Sequence, residues 1–143
     1  MKKVLFICVH NSGRSVMAQA FANALGRDRV EAESAGLKPR PVLPTVVQAM
    51  REEGLDVSGH RPQSVFELYR QGRRYDVVIT VCDDADEASC PIFPGIAVRG
   101  HWPFPDPSRA SGSPDQQLAY VRTIRDAIKH KVLNWLASDT LSR

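Results

Sequence analysis

The stretch Val4-Leu5-Phe6-Ile7-Cys8-Val9-His10-Asn11-Ser12-Gly13-Arg14-Ser15 decides how the rest of the chain is read. An apolar, β-type run from Val4 to Ile7 stops at Cys8, five residues of mixed loop chemistry follow, and Arg14 and Ser15 open an amphipathic helical pattern. A short loop between a buried strand and a helix can aim successive backbone N–H groups at one point. Gly13 permits close backbone approach, Asn11 tolerates left-handed geometry, and the first helical turn adds unpaired donors with a partial positive charge. A tetrahedral oxyanion is the natural guest. Val9, His10, Asn11, Ser12, Gly13, Arg14 and Ser15 are therefore the oxyanion-binding candidates.

Cys8 sits where that positive field is felt, and the thiolate is the reactive form of a cysteine. Arg14 can clamp two oxyanion oxygens with its planar fork, a geometry lysine does not reproduce. Ser15 is placed to donate a hydrogen bond to the sulfur. A plain buried cysteine closing a strand is the structural alternative, since free cysteine is among the most buried residue types. The spacing of cysteine, five residues, arginine and serine between strand and helix favours chemistry.

With 143 residues the chain fits a single domain, 1–143, able to bury a core without staples. Hydrophobic content of 43% and charged content of 24% are ordinary for a soluble globular protein. The net charge of +3 can attract small anions, but no dense basic stripe with interleaved aromatics marks a nucleic-acid reader. Arg70, Arg73 and Arg74 read as a solvated helix end. Met1-Lys2-Lys3 followed by apolar residues superficially matches a secretory signal, but the apolar run stops at Val9 with no small-residue cleavage site after it. No run reaches membrane-spanning length, so the expectation is a cytoplasmic protein, without membrane partners, whose three cysteines are reduced and chemical.

Met17, Ala20, Phe21, Ala24 and Leu25 recur at helical spacing and Gly26 is a stop. Val30 to Ser34 is a weakly marked strand, and Ser34-Ala35-Gly36 turns the chain towards Pro39, Pro41 and Pro44. Leu43, Val47 and Met50 share a helical face ending before Gly54; Leu55 to Gln63 reads as loop, with a short helix from Ser64 through Tyr69. His60 is a loop histidine with no role assigned. Tyr75 to Val81 is the strongest strand, continuous and β-branched as a buried parallel position requires, and it delivers Cys82 to its carboxyl end. The acidic stretch Asp83 to Cys90 follows, then a strand at Ile96 to Val98 and the segment His101 to Pro107. Ser113, Pro114 and Gln116 signal a helix start, and Leu118, Val121, Ile124, Ile128, Val132 and Trp135 make one apolar face.

Alternating strands and helices predict an α/β sandwich with a small parallel sheet, where ligands bind beyond the carboxyl ends of the strands. Cys8, Cys82 and the Asp106 segment all follow such ends. The chain resembles the thioredoxin-coupled arsenate reductases, which share the fold of the low-molecular-weight protein tyrosine phosphatases. The likeness rests on the Cys8 to Ser15 loop, Ser34-Ala35-Gly36, Cys82 with Cys90, and His101-Trp102 to Asp106-Pro107. It implies a three-layer sandwich around a four-stranded parallel sheet in the order 2-1-3-4. It also implies that Cys8 attacks arsenate, Cys82 attacks Cys8 with release of arsenite, and Cys90 captures Cys82 in a disulfide that thioredoxin reduces. Arg14 then binds the oxyanion and Asp106 is the general acid. No cofactor is called for. Cys82 and Cys90 stand one residue further apart than in the best-understood members, and some members bind potassium through an acidic side chain where this chain carries Gln19, so no metal is expected.

The nearest rival is a phosphatase acting on phosphate monoesters through Cys8, Arg14 and Asp106, which leaves Cys82 and Cys90 without a use. A zinc or arsenite module built on the three thiols lacks the short ligand spacing of structural zinc sites, and a non-catalytic oxyanion sensor does not require Asp106. His101 and Trp102 read as packing residues that position the aspartate segment; His10 either tunes the field of the loop or points outward.

Overall fold

A computed structural model of the chain describes residues 1–82 and 97–138. Its strands are β1 at Lys2–Cys8, β2 at Val30–Gly36, β3 at Val77–Thr80 and β4 at Val98–His101. They pair in parallel as one four-stranded sheet in the order β2-β1-β3-β4, the expected order. β1 lies between two neighbours and is covered on both faces, which is why Val4 through Ile7 are apolar without alternation and fully buried.

Successive residues of β1 supply opposite layers. Val4, Phe6 and Cys8 join the larger core with the helices α1 (Arg14–Leu25), α2 (Pro44–Arg51) and α4 (Pro114–Leu136). Leu5 and Ile7 meet Val65 and Leu68 of α3 (Val65–Arg70) in a smaller core on the other face. The result is the three-layer sandwich the sequence implies. Among the described residues no helix is long and apolar enough to cross a membrane.

Two element boundaries differ instructively from the sequence reading. The last strand is Val98–His101, beginning where the expected Ile96 to Val98 run ends, because register with β3 (Val98 opposite Val77, His101 opposite Thr80) and not local apolar content defines it. As an edge strand it tolerates Arg99 and Gly100. The second strand runs on to Gly36, where Gly36 pairs with Cys8. The three arginines at the end of α3 and just beyond it are solvated groups: Arg70 pairs with Glu67 and Arg73 with Glu33 near the surface, and Arg74 is exposed.

α4 begins in a full capping box, the Ser113 hydroxyl accepting from the Gln116 N–H at 3.2 Å and the Gln116 side chain accepting from the Ser113 N–H at 2.8 Å. Leu118, Val121, Ile124, Ile128 and Val132 of its expected apolar face are buried and Trp135 is partly buried, with one charged intruder. Arg125 Nη1 donates to the Ala49 carbonyl at 2.9 Å, at the end of α2, and to Glu52 at 2.7 Å. Arg122 grips the same Glu52 carboxylate with Nε at 2.9 Å and Nη2 at 2.5 Å. Hydrogen bonds from Arg122 first and Arg125 second hold the Glu52 carboxyl down at about 2.

Because the folded value lies below the unfolded one, near about 4.3, the stabilisation from Glu52 is complete above that pH. It drains away as pH falls towards about 2. Glu52→Gln is expected to flatten the fall of melting temperature across this acid window, measured by circular dichroism; a slope equal to wild type would contradict the assignment.

Candidate active site

The loop after β1 is shaped by where its carbonyl groups go. The carbonyls of Cys8, Val9, His10 and Ser12 accept the N–H groups of Leu37, Lys38, Arg40 and Leu43 at 3.2, 2.7, 2.9 and 3.0 Å. In a planar trans peptide the N–H of the next residue points the opposite way, so the N–H groups of Val9, His10, Asn11 and Gly13 turn inward. The Asn11 N–H shows the result, donating to Cys8 Sγ at 3.1 Å. Asn11 has φ 52°, the left-handed conformation its side chain tolerates.

That side chain, fully buried, uses its whole hydrogen-bonding capacity. Nδ2 donates to Ser15 Oγ at 2.8 Å and to Ser34 Oγ at 2.9 Å, while Oδ1 accepts from the Gln63 N–H at 2.9 Å and faces His60 Nε2 at 3.0 Å. Since Oδ1 only accepts, the hydrogen of the His60 ring lies on Nε2. Burial lowers the His60 pKa, which favours the neutral ring in this position. His60, given no role from sequence, is thus a support of the loop. No spacing rule reveals it, because its partner stands 49 residues earlier.

Ser15 Oγ accepts from Asn11, so its own hydrogen is available to Cys8 Sγ, 2.9 Å away. The sulfur is thereby met by two donors, a setting complementary to a thiolate. Cys8 is 2% exposed at the bottom of the loop. Arg14 is 3% exposed; its Nη1 donates to the Phe104 carbonyl at 3.1 Å and its Nη2 lies 3.9 Å from Asp106 Oδ2. His10 is half-buried, its Nδ1 3.2 Å from the Lys38 carbonyl.

Asp106 reaches this place through packing at the sheet edge. The Trp102 N–H donates to the Thr80 carbonyl at 2.7 Å, and the Trp102 ring packs tilted against Phe6 and edge-on against Trp135, with centroids 5.8 and 5.7 Å apart. Thr80 Oγ1 lies 2.6 Å from His101 Nδ1. Pro107 then lies over Gly13, where a Cβ would stand 2.6 Å from Pro107 Cγ. Burial pushes the Asp106 carboxyl up, but the Ser108 N–H and hydroxyl, followed by the charges of Arg14 and His10, outweigh it and leave the group below its ordinary value.

Cys82 is fully buried, two residues beyond the last residue of β3. The Val81 N–H donates to the Ile7 carbonyl at 2.8 Å, so Cys82 and Cys8 leave adjacent strands at the same end of the sheet. Cys90 lies outside the described residues. Gln19 does not supply the anionic ligand that a potassium ion beside the loop would use: it is neutral, and its Oε1 accepts the Ser34 hydroxyl. Among the described residues no three His, Cys, Asp or Glu side chains gather as a metal-ligand group.

Residues 3–143 match the low molecular weight phosphotyrosine protein phosphatase family. The chain belongs to that family, in its arsenate reductase branch. It is 34% identical over 131 residues to the arsenate reductase of Bacillus subtilis (strain 168), which covers 92% of each chain. An arsenate reductase solved in its oxidized state is similar with a TM-score of 0.80 at 33% identity, over 96% of this chain and 98% of that one. A thioredoxin-dependent arsenate reductase from Corynebacterium glutamicum is similar with a TM-score of 0.70 at 29% identity, over 100% of this chain and 63% of that one. The loop N–H groups and the Arg14 guanidinium around Cys8 form a cradle whose geometry could receive an oxyanion.

Gly36 tests how tightly that site is assembled. A Cβ there would meet only backbone, the Asn11 nitrogen at 2.7 Å, the His10 carbonyl carbon at 2.8 Å and the Val9 oxygen at 2.9 Å. Gly36→Ala is expected to destabilise the fold by about 1–3 kcal/mol in urea denaturation and to weaken inorganic phosphate binding in calorimetric titration. Unaltered phosphate affinity would mean the loop shape does not depend on this contact.

Proposed function

We propose that the chain reduces arsenate to arsenite through a relay of Cys8, Cys82 and Cys90, with thioredoxin reducing the final disulfide. The observation that carries this reading is the placement of two buried thiols, Cys8 in the oxyanion cradle and Cys82 on the neighbouring strand end. Cys8 Sγ attacks arsenic, an As–O bond breaks, and the departing oxygen takes a proton from Asp106 and leaves as water, with Arg14 and the loop N–H groups holding the remaining oxygens. Cys82 then attacks Cys8 Sγ; the S–S bond forms, the S–As bond breaks, and its electron pair leaves with arsenic as arsenite.

Strand spacing supports the second step. Ile7 pairs with Thr80 and the Val81 N–H donates to the Ile7 carbonyl, so Cys8 and Cys82 follow neighbouring strands, which run about 4.8 Å apart; a disulfide needs their α-carbons about 4.4–6.8 Å apart. Burial supplies the reason for a third thiol. A Cys8–Cys82 disulfide beneath the loop is out of reach of a protein reductant, and transfer to Cys90 would carry it to a partner. A reducing compartment, the cytoplasm, suits such a relay, and the whole of 1–143 acts as one domain in this reading.

The phosphatase reading draws on the same cradle together with Asp106 beside Arg14, and it makes no use of the burial of Cys82. Arsenate turnover with thioredoxin, thioredoxin reductase and NADPH, run beside hydrolysis of an aryl phosphate, separates the two. Cys8→Ser, Cys82→Ser and Cys90→Ser are each expected to reduce arsenate turnover by at least about 10³-fold, the scale of losing a member of a catalytic unit. Full aryl phosphate hydrolysis in Cys82→Ser and Cys90→Ser, with no arsenate-dependent NADPH oxidation by wild type, would replace the reductase reading by the phosphatase one.

A further inference from the structure

The Ser108 turn grips one oxygen of the Asp106 carboxylate. Oδ1 accepts the Ser108 N–H at 2.9 Å and the Ser108 hydroxyl at 2.8 Å. Oδ2 is the oxygen that faces Arg14, 3.9 Å from Nη2. The turn by itself is an ordinary backbone device, since Asp56 and Ser58 form the same one in the exposed 55–63 loop, with Oδ1 accepting at 2.9 and 2.6 Å. What differs at Asp106 is the surroundings of the second oxygen. Asp106 is 18% exposed and stands over the cradle, where Pro107 closes on Gly13.

We propose that Ser108 is a positioning residue for the proton donor: by occupying Oδ1 it confines the transferable proton to Oδ2, the oxygen aimed at the leaving group of the bound oxyanion. The inference rests on the reading of Asp106 as general acid. In that step the S–As bond forms, the bond to the leaving oxygen breaks, and the proton on Oδ2 passes to that oxygen. Asp106 is left as a carboxylate whose Oδ1 charge is taken up by the two Ser108 donors.

The balance of forces on the carboxyl agrees with this division. Burial opposes ionisation; of the influences that favour it, the Ser108 N–H and hydroxyl come first, ahead of the charged groups that face it, Arg14 from α1 and His10 from the loop. Ser108 therefore works against protonation between turnovers while directing the proton once it has arrived.

The experiment uses the full chain with Ser108→Ala, Ser108→Thr and, as a control, Ser58→Ala. Carbon-13 NMR titration of the Asp106 carboxyl reads the contact without reference to any activity. Ser108→Ala is expected to raise it by about one pH unit, the scale of one hydrogen bond to a charged group, and Ser108→Thr to restore it. The alkaline limb of kcat for thioredoxin-coupled arsenate turnover is expected to move upward with it in Ser108→Ala. Ser58→Ala should move the Asp56 titration alone. An unmoved Asp106 titration in Ser108→Ala overturns the proposal while leaving the acid reading intact. A moved titration with an unmoved kcat limb overturns the acid reading and the proposal together.

Discussion

One buried amide holds the active site in shape. Asn11 sits at φ 52° with both hydrogens of Nδ2 and both acceptor positions of Oδ1 engaged, and its partners come from α1, β2 and the 60–63 segment. An aspartate there has no hydrogens to give, and an alanine strands several buried groups at about 1–3 kcal/mol each. Against a total stability of about 5–15 kcal/mol, that is a large fraction. The loop is therefore stiff because one residue is saturated, and stiffness is what lets its N–H groups hold their aim before any anion arrives.

The strand order explains why such a loop can exist at that place. From β1 the chain goes to one side to form β2 and then crosses to the other for β3 and β4. At the carboxyl end of β1 the connections diverge and leave a crevice. Gly36 ends β2 against the loop, Cys82 follows β3, and the 102–107 segment follows β4. Each strand end contributes one part of the proposed site, whose members are distributed along the sequence yet gather at one end of the sheet.

How much of this was readable depended on whether a signal was local. The apolar run Val4 to Ile7, the β-branched run through Val77 to Thr80 and the periodic face of α4 each announce themselves, because burial on both faces or on one stripe fixes residue type directly. The cradle was legible too, since cysteine, arginine and serine keep their spacing on a single loop. His60 was not, nor was the Arg125 bridge to Ala49 and Glu52, because neither contact leaves a trace in the neighbouring sequence. The last strand was misplaced for the same reason: Arg99, Gly100 and His101 are strand residues by pairing with β3, not by composition.

The aspartate segment shows how a non-local contact becomes a chemical one. Arg14 is shared between the Phe104 carbonyl and the Asp106 carboxylate, so the guanidinium is already oriented before an oxyanion enters. The segment that orients it is anchored by Trp102 in the aromatic cluster with Phe6 and Trp135, and Phe6 lies on the very strand that ends in Cys8. A change in packing on the α4 face would therefore reach Arg14 and Asp106 through Trp102 and β1 through Phe6, while the hydrogen bonds that Cys8 Sγ receives come from Asn11 and Ser15.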